Sequence, residues 1–290
     1  MTSVHLDTDI GDDIDDAFCL ALLLQSPELS IQSITTVLND TAHRADMCRD
    51  LCEAAGKTPP IAGGSRGVLT RRPVEWAMKR QPYHSALRRT DAKSNMSETL
   101  ELLAAARRTA DVLLTIGPMT NLAMSLTSDP DVSRFPRYIA MAGEIRTPHH
   151  GEWNIRVDVE AAAAVLDSPI SIDFIPWRIG IDTKLTDTEQ AELDRATNPV
   201  AKVLNAFRQQ FKKTDKRQEM FDPMTVVVLL HDDWFTWQRG TVVVETRGEH
   251  THGLTHIRPH EDGRHRVAVG VDAEKAKRWM LDRLCAEKPS

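Results

Sequence analysis

The sequence predicts an α/β protein with an open, mainly parallel (mixed) sheet and helices on both faces, a Rossmann-like arrangement. Short β-branched runs alternate with longer amphipathic runs over most of the 290 residues. Apolar residues make up 41% and charged residues 27%, which is ordinary for a folded globular chain. Neither an internal repeat nor a low-complexity linker divides it, so we expect one domain over residues 1–290.

Six runs have the length and β-branched content of strands. They are Ser3–Leu6, Ile31–Leu38, Asp111–Ile116, Tyr138–Met141, Ile170–Ile175 and Arg266–Val271. The runs with helical character are Ala17–Gln25, Ala42–Ala55, Gly117–Leu126, Val159–Leu166, Ala201–Phe211, Thr225–Leu230 and Ala273–Leu284. Strands that alternate with helices imply right-handed crossovers and a parallel sheet, and such sheets bind ligands at the carboxyl ends of their strands.

Charge and hydropathy exclude two classes of partner. With 36 basic and 42 acidic side chains, the net charge is −6, which argues against nucleic-acid binding. The longest strongly apolar stretch, Ala17–Leu24, is too short to cross a bilayer. The first residues lack the basic head and apolar core of a signal peptide. We therefore expect a cytoplasmic protein with neither a nucleic-acid nor a membrane partner.

The four cysteines fit no disulfide framework in a chain of this size. Cys48 and Cys52 are four residues apart in a predicted helix, where they would share either a ligand or a buried face. The buried face is favoured because a free cysteine is commonly a small core residue.

An acidic turn follows the first predicted strand. Six aspartates fall within ten residues: Asp7, Asp9, Asp12, Asp13, Asp15 and Asp16. Each near pair costs about 1 kcal/mol in repulsion at a high effective dielectric constant. A divalent cation would relieve that cost, and oxygen ligands suit Ca²⁺ or Mg²⁺. Capping of the next helix is the alternative, but it accounts for one or two aspartates rather than six.

Two other acidic-loop classes fit less well. An EF-hand needs spaced loop ligands and a glutamate at its twelfth position, which this turn lacks. A phosphatase of the haloacid dehalogenase type would match Asp7-Thr8-Asp9 after a strand. That class would want Thr or Val where this chain has Gly11, and its second acidic pair comes late in the chain.

The segment DTDIGDDIDDA resembles the N-terminal signature of the inosine–uridine-preferring nucleoside hydrolases, with two residues added after Gly11. Anchoring on Asp15-Asp16-Ala17 makes the spacing to Pro27-Glu28 match the family. Further motifs follow in the family's order: Ile34–Val37, Gly117–Asn121, Met141–Gly143, Glu152–Ile155, Gly180–Thr183, Phe221–Pro223 and Val271–Leu284. The resemblance implies the nucleoside hydrolase fold with one active site per subunit, in a homodimer or homotetramer.

The resemblance also implies roles for individual residues. The ligands of a bound Ca²⁺ would be Asp9, Asp16, Asp222 and the carbonyl oxygen of Ile116. Asp9 would act as general base for the attacking water. Asp15 would hold the ribose hydroxyls, although Asp12 or Asp13 could take its place. Glu152 and Asn154 would grip the sugar.

The implied reaction is hydrolysis of the N-glycosidic bond of a ribonucleoside or related riboside. Breaking that bond develops positive charge on the ribose, which carboxylates and amide oxygens stabilise. A bound cation orients water, and a carboxylate takes its proton. Taken alone, Asn154 fits a turn residue and Asp222 fits a helix cap before Pro223. A competing class is a non-catalytic nucleoside or sugar binder that keeps the metal.

Three positions depart from the best-known members. Phe221 stands where many members have a histidine that protonates the leaving base, and Trp153 stands where Phe is common. Asp40 replaces an asparagine that contacts ribose. Without an acid at position 221, the leaving group must be activated differently or be a good leaving group already. Tyr83, His84, His149 and His150 are the candidate replacements for binding or protonating the base, with His84 proposed as the acid; alternatively these are surface residues.

Residues 64–95 form a basic segment. Its basic residues are Arg66, Arg71, Arg72, Lys79, Arg80, Arg88, Arg89 and Lys93. Against Glu75 and Asp91 they give the segment a charge of +6, which leaves −12 for the rest of the chain. A phosphorylated substrate would explain such a cluster, and a solvated loop is the alternative.

Five histidines lie between His250 and His265. Thr251, Gly253 and Pro259 oppose the helix that metal ligation at i, i+4 spacing would need. We therefore predict a polar hairpin before the last strand rather than a metal site.

Overall fold

The nine strands of this protein form one mixed sheet in a computed structural model that describes residues 1–78, 93–131, 136–145, 151–212 and 218–287. The strands are β1 (Thr2–Thr8), β2 (Leu29–Thr36), β3 (Ile61–Gly63), β4 (Val112–Thr115), β5 (Arg137–Met141), β6 (Asp173–Ile175), β7 (Phe235–Val244), β8 (Thr255–Pro259) and β9 (His265–Val271). Their order across the sheet is β3-β2-β1-β4-β5-β6-β9-β7-β8. All pairs from β3 to β9 are parallel, and β7 is antiparallel to both β9 and β8. The predicted mainly parallel, mixed sheet is confirmed.

Through the first six strands, one or two helices separate each strand from the next, as the sequence predicts, whereas four helices in succession precede the last three strands. They are α1 (Asp15–Gln25), α2 (Thr41–Ala54), α3 (Glu75–Met78), α4 (Met96–Thr109), α5 (Thr120–Ser128), α6 (Trp153–Val157), α7 (Val159–Asp167), α8 (Trp177–Asp182), α9 (Asp187–Asp194), α10 (Pro199–Phe211), α11 (Pro223–Leu230) and α12 (Ala273–Cys285). A 3₁₀ turn covers Asp232–Trp234. No helix within the described ranges is long and apolar enough to cross a membrane.

Helices cover both faces of the sheet. Successive side chains of a strand point to opposite faces, and in β4 Leu114 and Leu113 belong to two separate buried clusters. The Leu114 cluster gathers the apolar faces of α1, α2, α10, α11 and α12, and the Leu113 cluster those of α5 and α7. Cys48 and Cys52 are buried in the first cluster as free thiols, as the core interpretation requires.

The chain between His250 and His265 differs in detail from the predicted hairpin. Thr255–Pro259 is the edge strand β8, and it pairs with β7 rather than with β9. His265 lies in β9, is fully buried, and has its pKa lowered to about 4 by burial. Among the described residues, none of these imidazoles belongs to a group that could hold a metal ion.

Candidate active site

The acidic turn joins β1, an interior strand of the sheet, to α1 at the carboxyl end of the strand. Asp15 and Asp16 form the first turn of α1, so the helix begins two residues earlier than predicted. The Thr8 hydroxyl donates a hydrogen bond to Asp16 and accepts one from the Ile10 amide at 3.0 Å. Gly11 has a φ of 110°, a conformation that glycine adopts readily and other residues rarely do. These hydrogen bonds and the Gly11 conformation therefore stabilise a tight turn immediately before α1.

A fully buried arginine, which sequence reasoning missed, holds this turn from below. The Arg44 guanidinium donates to the carbonyl oxygens of Asp9, Ile10 (2.8 Å) and Leu38 (2.8 Å). Its remaining Nη2 forms an ion pair with Asp12 at 2.9 Å. Asp12 therefore serves the turn as the partner of Arg44. Which of Asp12, Asp13 and Asp15 would contact the ribose stays a prediction.

The adjacent carboxylates Asp15 and Asp16 meet a third, Asp222, from a distant part of the chain. One oxygen from each of Asp15, Asp16 and Asp222 lies within 4.8 Å of the others. The Asp222 amide also donates to Asp15 Oδ2 at 3.2 Å. Burial, and then repulsion between the neighbouring carboxylates, raises the pKa of Asp16 and of Asp222 well above the ordinary value. The arrangement can hold a metal ion, and a divalent cation would offset the repulsion.

Asp9 lies beside this cluster in the same cavity. Its Oδ2 accepts a hydrogen bond of 3.3 Å from the indole Nε1 of Trp153. The turn after β4 packs against the Asp9 backbone at Gly117, where a Cβ would lie 2.9 Å from the Asp9 amide nitrogen. Only glycine fits at that close approach, which brings Ile116 to the edge of the cavity.

Asn154 bridges two neighbouring strand ends. Its Nδ2 donates to the carbonyl oxygens of Ile116 and Met141, each at 3.0 Å. With the amide fixed in this way, its buried Oδ1 has no hydrogen-bond partner among the described residues. A buried acceptor held in one orientation inside a cavity is suited to receive a ligand hydroxyl.

Glu152 has a capping role that the sequence did not suggest. Its carboxylate accepts hydrogen bonds from the amides of Asn154 (2.7 Å), Ile155 (3.1 Å) and Gly143 (3.0 Å). The first two amides open α6, so Glu152 is the N-cap of the helix that carries Asn154. Burial is the largest cause of a raised pKa at Glu152.

The cavity has a volume of about 330 Å³. Its lining residues are Asp9, Asp12, Asp13, Asp15, Asp16, Ile116, Met141, Glu152, Trp153, Asn154, Trp177, Phe221 and Asp222. All four expected metal ligands are among them. So are Asp15, Glu152, Trp153, Asn154 and Phe221 of the expected catalytic and substrate-binding residues. Trp177, which sequence reasoning missed, lies against Phe221 with the ring planes 15° apart.

Asp40, the one other expected site residue that the structure describes, is not in this lining. Asp40 instead caps α2, where its Oδ1 accepts from the His43 amide at 3.2 Å. A ribose contact by Asp40 stays a prediction. The candidates Tyr83, His84, His149 and His150 lie outside the described residues.

The basic segment contributes none of its described cations to the cavity. Arg66, Arg71, Arg72 and Lys93 are described, and none of them lines it. The guanidinium Nε of Arg66 instead donates to the Asn39 carbonyl oxygen at 3.2 Å. Lys79, Arg80, Arg88 and Arg89 lie outside the described residues, so the phosphate hypothesis stays a prediction.

Fold and site together define an α/β protein with an acidic cavity at the carboxyl ends of its interior strands. The carboxylate cluster in this cavity could hold a metal ion. Residues 4–278 match the family model described as inosine-uridine preferring nucleoside hydrolase. The pyrimidine-specific ribonucleoside hydrolase RihA of Enterobacter sp. (strain 638) is 30% identical over 277 residues, covering 87% of this chain and 86% of that protein. The non-specific ribonucleoside hydrolase RihC of Salmonella agona (strain SL483) is 29% identical over 303 residues, 97% of each chain.

A solved plant nucleoside hydrolase has the same fold, with a TM-score of 0.81 at 24% identity over 98% of this chain and 99% of that one. Because the family model covers nearly the whole chain, this protein belongs to the inosine-uridine preferring nucleoside hydrolase family. The resemblance seen in the sequence is confirmed, as is the expectation of an enzyme in a family of N-glycosidic hydrolases.

Proposed function

We propose that this protein hydrolyses the N-glycosidic bond of a ribonucleoside or related N-riboside, releasing ribose and the free base, with Ca²⁺ as its bound ion. The observation that carries the proposal is the meeting of Asp15, Asp16 and Asp222 in one buried cavity. Family membership supports the reaction class, and the relatives named above are ribonucleoside hydrolases.

The donor set suits a hard divalent cation. Every side-chain oxygen in the cluster is a carboxylate oxygen, and carboxylate and carbonyl oxygens are the ligands of Ca²⁺ and Mg²⁺. We propose that Asp9, Asp16, Asp222 and the Ile116 carbonyl oxygen hold the ion. When bound, it supplies positive charge that favours ribose hydroxyls and makes a water molecule more acidic.

The chain's own residues would supply the rest of the chemistry. We propose that Asp9, which accepts a hydrogen bond from Trp153, takes the proton of the attacking water. Asp15 would accept hydrogen bonds from ribose hydroxyls, and so would Oδ1 of Asn154, which has no partner among the described residues. As the water oxygen bonds to C1′, the C1′–N bond breaks and its electron pair goes to the base nitrogen. The carboxylates of Asp9 and Asp15 would stabilise the positive charge that develops on the sugar.

The proposal extends to assembly and location. We infer a homodimer or homotetramer in the cytoplasm with a nucleoside or riboside as its small-molecule ligand. Light scattering coupled to size-exclusion chromatography would check the assembly, and a monomer at assay concentration would contradict it.

Base release under multiple turnover tests the function. Inosine and uridine are incubated with native enzyme, chelated enzyme, chelated enzyme with added Ca²⁺, and Asp9→Asn, and the free base is measured by chromatography. We expect release to stop on chelation, to return with Ca²⁺, and to fall strongly in Asp9→Asn. Asp262→Asn, at an exposed loop position, is the matched control.

Two results would contradict the proposal. Full turnover after chelation would show that the reaction does not need the proposed metal ion. Saturable binding of nucleoside without base release would favour the competing class of a non-catalytic binder.

A further inference from the structure

An aromatic wall lies next to the carboxylates in the cavity. Trp177 and Phe221 both line it, with ring centroids 6.1 Å apart and planes 15° from parallel. Gly180 makes room for this pair, because a Cβ there would lie 2.0 Å from Cδ1 of Phe221. The two rings are therefore held in a fixed stack whose position depends on a glycine.

The titratable side chains in the described part of the lining are all carboxyl groups, and none is an imidazole, phenol, thiol or ammonium group. Phe221, immediately before Asp222, is apolar where a donor to the leaving base would be useful. A neutral nucleoside leaves an anionic base behind unless an acid protonates that base as the bond breaks.

The described part of the lining is also acidic. It has no basic side chain that would repel a cation, and it has seven carboxyl groups, those of Asp9, Asp12, Asp13, Asp15, Asp16, Glu152 and Asp222. An aromatic ring attracts a cation by the cation–π interaction, and Trp177 and Phe221 supply such rings beside these groups.

We propose that the preferred substrates are ribosides whose base is already cationic at the glycosidic ring, such as an N-ribosylpyridinium or an N7-alkylated purine ribonucleoside. This rests on the proposed function, since it names the substrate class of the same site. The water oxygen bonds to C1′ and its proton goes to Asp9. The C1′–N bond breaks, its electron pair returns to the ring nitrogen, and the base leaves as a neutral molecule without a proton donor.

7-Methylguanosine and guanosine are a matched pair, because they differ by one methyl group and one positive charge. The experiment measures kcat/KM for both in the native enzyme, at a slightly acidic pH where the methylated ring is fully cationic, and compares each with its spontaneous hydrolysis rate. We expect the enzymatic acceleration to favour 7-methylguanosine by about tenfold or more.

Two sets of variants separate charge recognition from ordinary stacking. Trp177→Leu should raise KM for 7-methylguanosine by about tenfold more than for guanosine, whereas Trp177→Phe should retain most of the preference. Phe221→His introduces a proton donor that only the neutral base needs. It should therefore raise kcat/KM for guanosine relative to 7-methylguanosine, whether or not the Trp177 variants fold.

The outcomes distinguish the proposed hydrolase function from the proposed preference for cationic substrates. Release of base from neither nucleoside would overturn the proposed function itself. Release with equal or greater acceleration for guanosine would overturn the cationic preference and leave the hydrolase function standing. A Phe221→His enzyme in which both substrates change by the same factor would likewise overturn it.

Discussion

Arg44 and Asp12 form a buried ion pair of 2.9 Å beneath the candidate active site, with side-chain exposures of 0% and 5%. The same guanidinium also donates to three backbone carbonyl oxygens. The acidic turn thus depends on one arginine from α2 for its shape.

Removing Arg44 should strongly destabilise the protein, because Asp12 would remain buried without its partner. We expect Arg44→Met to lower the free energy of unfolding by about 3 kcal/mol, and the double variant with Asp12→Asn to recover part of that loss. Urea denaturation in excess chelator measures both.

The matched control is Arg108→Met. Arg108 is 60% exposed and lies 3.6 Å from Asp129, so its loss should cost less than about 1 kcal/mol. An equal cost for both arginines would contradict the role given to Arg44.

The metal-free protein should lose stability as pH rises. Burial and carboxylate repulsion raise the pKa of Asp16 and Asp222, so the folded state binds more protons than the unfolded state between the ordinary and the raised values. The stability contributed by the protonated carboxyls is present at low pH and is lost as pH passes upward through the raised pKa. Thermal melts in chelator across this range measure the slope.

Excess Ca²⁺ should reverse that slope, because the ion binds the ionised carboxylates of the folded state and so stabilises it. Melting temperatures that rise with pH in chelator, or that Ca²⁺ leaves unchanged near neutral pH, would contradict the proposed site.

Asn154→Ala should reduce kcat/KM for nucleoside hydrolysis by about a hundredfold. The variant removes the buried Oδ1 acceptor and frees the Ile116 and Met141 carbonyl oxygens that Nδ2 now binds. Asn95→Ala is the control, since Asn95 caps α4 outside the cavity. It should cost about 1 kcal/mol of stability and leave kcat/KM unchanged. Equal losses of activity in the two variants would indicate a general effect on folding.

Gly180→Ala should displace the Phe221 ring, because the new Cβ would overlap its Cδ1. We expect a loss of about 1–3 kcal/mol in the free energy of unfolding and weaker nucleoside binding. Gly270→Ala, whose Cβ would meet nothing closer than 3.7 Å, should be tolerated. Calorimetry and KM together check the prediction, and a fully stable Gly180→Ala enzyme with native KM would contradict it.

The fold and the carboxylates of the cavity could be predicted from the sequence. Aspartates directly after a buried strand, and Asp222 at the start of a helix, indicate a metal site, and the family motifs identify which aspartates belong to it. Strand β7 was missed although Thr241–Val244 is β-branched, and α4 was missed although its alanine-rich run follows the good cap Asn95. Both lie next to segments whose charge or polarity suggested loops.

The supporting residues were not accessible, because their roles depend on tertiary contacts. Arg44 lies in α2, which is rich in charged residues. An arginine in such a helix is normally expected at the surface. The sequence suggests Glu152 as a substrate-binding residue, but its hydrogen bond from the Gly143 amide, which joins α6 to the loop after β5, depends on a tertiary contact. Trp177 carries no local signal, since only the packing of α8 against Phe221 brings it to the cavity.

The Asn154 side chain ties the end of β5, at Met141, to the residue that follows β4, at Ile116. If Asn154 binds the ribose as proposed, a slight separation of those two strands would turn its amide away from the sugar while the sheet itself persists. On gentle warming, turnover should therefore decline several degrees before circular dichroism registers any melting.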